Sequence, residues 1–119
     1  MSAVSPMPIF TRTFDLLTWL VPVSNHFPRA HRFTVTQRLL NAAFDLREHL
    51  EAAQHRRGRA RVQALRRADE ALSRLRLYLR LITRWGWLSA GQYQHAARMV
   101  DEIGRLLGGW LKVSQNPSS

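Results

Sequence analysis

The chain has 119 residues, and its 18 Lys and Arg against 8 Asp and Glu leave a formal net charge of +10. This length is that of one domain, and an apolar content of 45% is too high for a disordered basic tail. The absence of cysteine excludes disulfides, cysteine zinc sites and thiol nucleophiles. The N-terminus lacks the pattern of a signal peptide, and no apolar run reaches the roughly 18 residues of a membrane span. The composition therefore predicts a small, cationic, cytoplasmic protein whose partners are polyanions or an acidic protein surface.

Four segments with helical periodicity follow one another, separated by turn residues. The first contains Pro22, which predicts a kink or a frayed last turn, and it closes at Phe27-Pro28-Arg29. Gly58 separates the second segment from the third, and Gly86, between two tryptophans, separates the third from the fourth. The pattern predicts helices over 8–26, 31–56, 60–86 and 89–113, with an N-terminal extension at 1–7 and a polar tail at 114–119.

The third segment has the clearest apolar stripe, with spacings that alternate between three and four residues. Ser89 followed by Gln92 predicts a capping box at the start of the fourth helix. Because short connections make consecutive helices antiparallel, the expected fold is all-α, an up-down-up-down four-helix bundle. The stripe of the third segment consists of Leu65, Ala68, Leu72, Leu75, Leu79 and Ile82.

Arginines concentrate between residues 56 and 84, where ten of them accompany only two acids. At 100° per residue, one group of arginines lies opposite the apolar stripe: Arg66, Arg67, Arg74 and Arg84. Arg76 and Arg80 share a flank of the stripe with Asp69, at the edge of the core, where packing and a carboxylate can hold a guanidinium. One-sided charge costs self-repulsion and calls for a counter-charge, of which nucleic-acid phosphate is the commonest. A merely solubilising face and an acidic protein partner remain open. The predicted RNA- or DNA-binding residues are Arg56, Arg57, Arg59, Arg66, Arg67, Arg74, Arg76, Arg80 and Arg84.

Three apolar residues, Leu77, Tyr78 and Leu81, lie on the outer side of the third helix. They are candidates for an oligomer or partner interface, and ordinary exposed apolar area is the alternative. Trp85 and Trp87 either stack on bases or close the end of the bundle.

No catalytic constellation is found. The five histidines show no metal-ligand spacing, and no glycine-rich loop precedes a Lys-Ser/Thr pair. A di-metal carboxylate site would need inward Glu and His residues, but the stripes are apolar. We therefore expect a non-enzyme with no cofactor and no metal.

Two motifs carry a resemblance to a known family. Residues 68–81 read ADEALSRLRLYLRL, and residues 102–110 read EIGRLLGGW. They resemble the motifs AD…LR-x-aromatic-LR and E-x-G-R-x-L-G-x-W of the accessory variability determinant (Avd) proteins of diversity-generating retroelements. Pro22 and the segment at 27–29 are also similar to the first helix of that family. The resemblance extends from about residue 10 to residue 112.

The resemblance implies a basic four-helix bundle that assembles into a homopentameric barrel. Such a protein binds nucleic acid and a reverse transcriptase, and it supports mutagenic complementary-DNA synthesis. The motif places the partner-binding arginines at Arg76 and Arg80, the same two residues that the helical wheel separates from the outer face. The wider family, encoded in ribosomal-RNA intervening sequences, implies an alternative: a ribosome- or rRNA-associated module without a reverse transcriptase.

Overall fold

The computed structural model describes residues 7–116, and these form four α-helices and no β-strand. The all-α prediction is thus confirmed for the described residues, which span 49 × 24 × 18 Å. None of these helices combines the length and the apolar character needed to cross a lipid bilayer. The helices are α1 (Pro8–Ser24), α2 (Gln37–Gln54), α3 (Gly58–Arg84) and α4 (Ala90–Ser114).

Helix α1 ends two residues earlier than predicted. It begins with Pro8 in its first turn, where a missing amide hydrogen costs nothing, and it continues through Pro22 into its last turn. The Ser24 hydroxyl donates a hydrogen bond of 2.7 Å to the Val21 carbonyl at this end. Pro22 therefore marks the end of the helix rather than its middle.

The predicted start of the second helix at residue 31 was wrong. A 3₁₀ turn occupies Arg29–His31 and a π-helical turn occupies Arg32–Thr36 before α2 begins at Gln37. The π-helical turn has the sequence RFTVT, in which three β-branched residues disfavour regular α-helix. It leaves the Phe33 side chain 79% exposed.

The connection between α3 and α4 follows the predicted turn chemistry. Gly86 adopts a left-handed φ of +83°, and the amides of Gly86 and Trp87 donate to the carbonyls of Thr83 and Ile82. This pairing is the Schellman arrangement, for which glycine is the favoured residue. The capping box is also confirmed, because Ser89 and Gln92 exchange hydrogen bonds of 2.9 and 3.1 Å.

Each helix packs against its neighbours in sequence, and α1 also packs against α4, which closes the bundle. The most extensive contact joins α2 and α3. Small side chains explain it, since alanines that are at most 2% exposed let the two helices approach closely. The six leucine, isoleucine and alanine residues of the predicted α3 stripe are all buried. The buried alanines at the contact between α2 and α3 are Ala42, Ala43, Ala53, Ala64, Ala68 and Ala71.

Candidate nucleic-acid interface

The outermost stripe of α3 is mainly cationic. It contains three arginines, one leucine and one carboxylate, and all five side chains are exposed. These residues, which lie on one side of the helix, are Arg59, Arg66, Glu70, Leu77 and Arg84. Many of the other predicted arginines are exposed too. Within residues 7–116, no carboxylate forms an ion pair with Arg56, Arg57, Arg59, Arg66, Arg67, Arg80 or Arg84.

Arg74 differs from the expectation that it shares this outer stripe. Its guanidinium lies 3.5 Å from the Asp45 carboxylate of α2, and both side chains are about half exposed. Arg74 therefore lies at the α2–α3 boundary, where packing against α2 partly neutralises it. The free cationic surface of α3 is narrower than the wheel predicted.

On the opposite flank, α3 and α4 enclose a groove of about 250 Å³. It contains both arginines that the motif singled out, together with an aromatic side chain and a carboxylate from α4. In the sequence, Tyr93 has the helical spacing of an apolar stripe with Ala96 and Val100, and Asp101 followed by Glu102 is typical of an ordinary helix surface. The residues that line this α3–α4 groove are Arg76, Leu79, Arg80, Tyr93, Ala97, Val100 and Asp101.

Arg76 is positioned by two contacts on α4. Its Nη2 atom lies 3.5 Å from Oδ1 of Asp101, and the same nitrogen lies over Gly104, where a methyl group would be only 2.6 Å away. The missing side chain at Gly104 therefore leaves space for the guanidinium of Arg76. It does not serve the close approach of another helix backbone. This agrees with the expectation that Arg76 sits at the edge of the core, held by packing and a carboxylate.

The ion pair between Arg76 and Asp101 is weak enough for Arg76 to exchange Asp101 for another anion. Asp101 is 77% exposed and Arg76 is 39% exposed, so the pair contributes little to folding, as solvated ion pairs generally do. The adjacent acid is engaged elsewhere: Arg105 donates hydrogen bonds of 2.6 and 3.0 Å to Glu102. These bonds lower the pKa of Glu102. Among residues 7–116, Asp101 is therefore the only carboxylate that forms an ion pair with Arg76.

Replacing Gly104 with alanine tests this arrangement. The added methyl group displaces the Arg76 guanidinium, which is flexible, while alanine favours the helix by about 1 kcal/mol over glycine. We expect an unchanged or higher melting temperature but weaker binding of any ligand that uses Arg76. Gly108→Ala is the matched control, since position 108 faces open space. Equal ligand affinity of both variants would show that the position of Arg76 is immaterial.

Two further arginines are structural. Arg47 donates to the Phe10 carbonyl at 2.9 Å and to Glu51 at 2.8 Å. Arg61 donates to the Ala53 carbonyl at 3.0 Å, at the end of α2, and its guanidinium lies over the Trp110 ring. Each bond to a carbonyl therefore ties an arginine to the backbone of another helix, in addition to the donors that these two carbonyls already have. The predicted binding set contains neither residue.

The predicted apolar candidates differ in exposure. Leu77 is 43% exposed, whereas Tyr78 and Leu81 are partly buried and line a hollow with Phe33 and Arg38. No partner chain is present to test the interface, so it stays a prediction.

Of the two tryptophans at the α3–α4 turn, Trp87 closes the end of the bundle. The Trp87 ring packs near Phe27 at 5.7 Å and stacks with His31 at 5.4 Å. Trp85 is 49% exposed. Across residues 7–116, no three His, Asp or Glu side chains lie close enough together to hold a metal ion.

Comparison with known proteins gives a family and a fold. The model of a family described as bAvd-like matches residues 7–114. No curated protein matches the chain. Among solved structures, a protein of unknown function from the S23 ribosomal protein family of Bacteroides thetaiotaomicron is similar, with a TM-score of 0.80 and 16% identity. The similarity covers 88% of this chain and 96% of that one, and at this identity it shows a shared fold.

Proposed function

The chain belongs to the bAvd-like family, and from that membership we propose that it is a non-catalytic accessory protein of a diversity-generating retroelement. In this role it binds nucleic acid and a reverse transcriptase and supports mutagenic complementary-DNA synthesis. The observation that supports the proposal most directly is the α3–α4 groove. There, Arg76 and Arg80 lie side by side at the positions where the family motif has its partner-binding arginines.

The groove is proposed to bind the reverse transcriptase. Arg76 exchanges its weak contact with Asp101 for a carboxylate or phosphate of the partner, and Arg80 provides a second cation with no ion-pair partner among residues 7–116. A planar guanidinium binds either oxyanion through two hydrogen bonds. Tyr93 adds an aromatic wall on which an arginine or a ring of the partner can pack.

The outer stripe and the α2–α3 turn are proposed to bind RNA or DNA through phosphates. Their exposed arginines present charge without a base-reading motif, so affinity depends on salt rather than on sequence. The logarithm of the binding constant is expected to fall by about 0.7 to 0.9 per logarithmic unit of salt for each phosphate neutralised. Shape of the RNA, or the polymerase, then provides specificity.

Assembly into a homopentamer belongs to the same proposal. Leu77 is an exposed leucine in an otherwise charged stripe, and contact between protomers would bury it together with the edges of Tyr78 and Leu81. A ring would also place arginines from several protomers next to one another, which increases affinity for a long polyanion through multivalency.

The second candidate function is a ribosome- or rRNA-associated bundle without a reverse transcriptase. The similarity in fold to the S23 ribosomal-family protein favours it. Both candidates use the same cationic surface for RNA. They differ in whether the α3–α4 groove has a protein partner, so nuclease-resistant capture of the reverse transcriptase separates them.

The first experiment is light-scattering mass at two salt concentrations, on nuclease-treated protein with and without structured RNA. The proposal predicts a salt-stable mass of about five protomers that increases with RNA only at low salt. A monomer or dimer that ignores RNA would contradict both candidates and favour an acidic protein partner. Adding the reverse transcriptase to the nuclease-treated protein then tests the direct contact.

A further inference from the structure

A second cavity lies on the α1–α2 side of the bundle, away from the groove that contains Arg76. It has a volume of about 390 Å³, within the range of roughly 300–1,000 Å³ that is typical of ligand pockets. The end of α1, the 3₁₀ and π-helical turns and the first half of α2 form it. The α1–α2 pocket is lined, among others, by Arg29, Arg32, Phe33, Thr36, Gln37 and Phe44.

The lining has an unusual combination of groups. Phe33 and Phe44 are 79% and 41% exposed, so two aromatic faces are open to a ligand. Arg29 and Arg32 add positive charge, and none of the described residues that line the pocket is Asp or Glu. The amide of Gln37 provides both a donor and an acceptor. Aromatic faces with unneutralised arginines suit a planar, anionic ligand better than an apolar helix.

Phe33 connects the pocket to the rest of the cationic surface. It also lines a neighbouring hollow of about 370 Å³, which contains Arg38 together with Tyr78 and Leu81 of α3. A nucleic-acid strand that lies on α3 can therefore cross this hollow and reach the pocket along a surface that carries arginines throughout.

We propose that the α1–α2 pocket binds an unstacked base of a single-stranded nucleic acid, with Phe33 and Phe44 stacking on the base. Arg29 and Arg32 bind the flanking phosphates, while Gln37 contacts the base edge. The proposal rests on the nucleic-acid binding of the proposed function and adds a site that discriminates single strands from duplexes. Stacking on an aromatic side chain is the usual way in which proteins hold single-stranded bases.

The test uses the full chain with three probes that carry the same number of phosphates: a single-stranded RNA, the same strand with abasic positions, and a duplex of half that length. The wild-type protein is expected to bind the intact strand about 10-fold more tightly than the abasic strand, as one stacked base contributes. Phe33→Ala should remove this ratio and leave duplex affinity unchanged. Phe14→Ala is the matched control, since Phe14 is 62% exposed on α1 but does not line the pocket.

Three results would overturn the proposal. An intact-to-abasic ratio of one in the wild-type protein, with normal duplex binding, would contradict the pocket alone. A wild-type protein that binds none of the probes would contradict the proposed function as well. If Phe44→Ala, at a residue that lines the pocket but not the neighbouring hollow, lowers the light-scattering mass and Phe14→Ala does not, a second copy of the chain occupies the pocket.

Discussion

The double variant Arg76→Glu with Arg80→Glu is expected to lose about 100-fold in affinity for the reverse transcriptase, because each charged hydrogen bond contributes roughly 1.5 kcal/mol. The variant should remain folded. Arg80 is exposed, and Arg76 loses only a solvated contact of 3.5 Å with Asp101. Calorimetry or a nuclease-treated binding assay measures the affinity, and the melting temperature checks the fold.

The control is Arg12→Glu with Lys112→Glu, which changes the net charge by the same amount at exposed positions outside the α3–α4 groove. RNA affinity should fall in both double variants, since long-range attraction depends on total charge. Only the variant in the α3–α4 groove should lose affinity for the reverse transcriptase. Wild-type polymerase affinity in a folded groove variant would show that the groove is not the polymerase site.

The second large effect concerns stability. Leu75→Ala is expected to lower the free energy of unfolding by about 3 kcal/mol, because Leu75 is completely buried and its truncation leaves a cavity. The total free energy of unfolding of a domain is about 5–15 kcal/mol, so this loss is a large fraction of it. For a chain of this size, the loss corresponds to a decrease in melting temperature of roughly 10 °C. Thermal unfolding followed by circular dichroism measures it.

Leu77→Ala is the matched comparison, made two residues further along the same helix. Leu77 is 43% exposed, so its truncation should change the stability of the protomer by less than about 0.5 kcal/mol. If Leu77 lies between protomers, the variant should instead lower the mass seen by light scattering at unchanged protomer stability. A large loss of stability for Leu77→Ala in a monomeric preparation would contradict the exposed position of the residue.

The elements predicted most accurately were those with local signals. The capping box at Ser89 and the glycine turn at Gly86 formed as expected, because their hydrogen bonds join residues a few positions apart. The apolar stripe of α3 was buried throughout, since a helix with one apolar face has one stable way to pack. The start of the second helix was predicted less well. There, residues 32–36 form a π-helical turn instead of α-helix, and three of these five residues are β-branched.

The predicted site was only partly visible in the sequence. Helical geometry and the family motif both selected Arg76 and Arg80, because these residues belong to one helix and share one flank. Their neighbours from α4, Tyr93 and Asp101, were assigned to an apolar stripe and to ordinary surface. Nothing in local spacing indicates which residue of another helix will meet a given side chain.

The sequence by itself determined the helical class, the main turns, the cationic character and the arginines at the edge of α3. These follow from periodicity, turn chemistry and composition, which act over a few residues. Only the tertiary structure decided which arginines are free: it paired Arg74 with Asp45 and placed Arg76 over Gly104 beside Asp101. It also formed the α1–α2 pocket around Phe33. These features depend on the relative placement of different helices, which is set by the packing of the whole core rather than by any one segment.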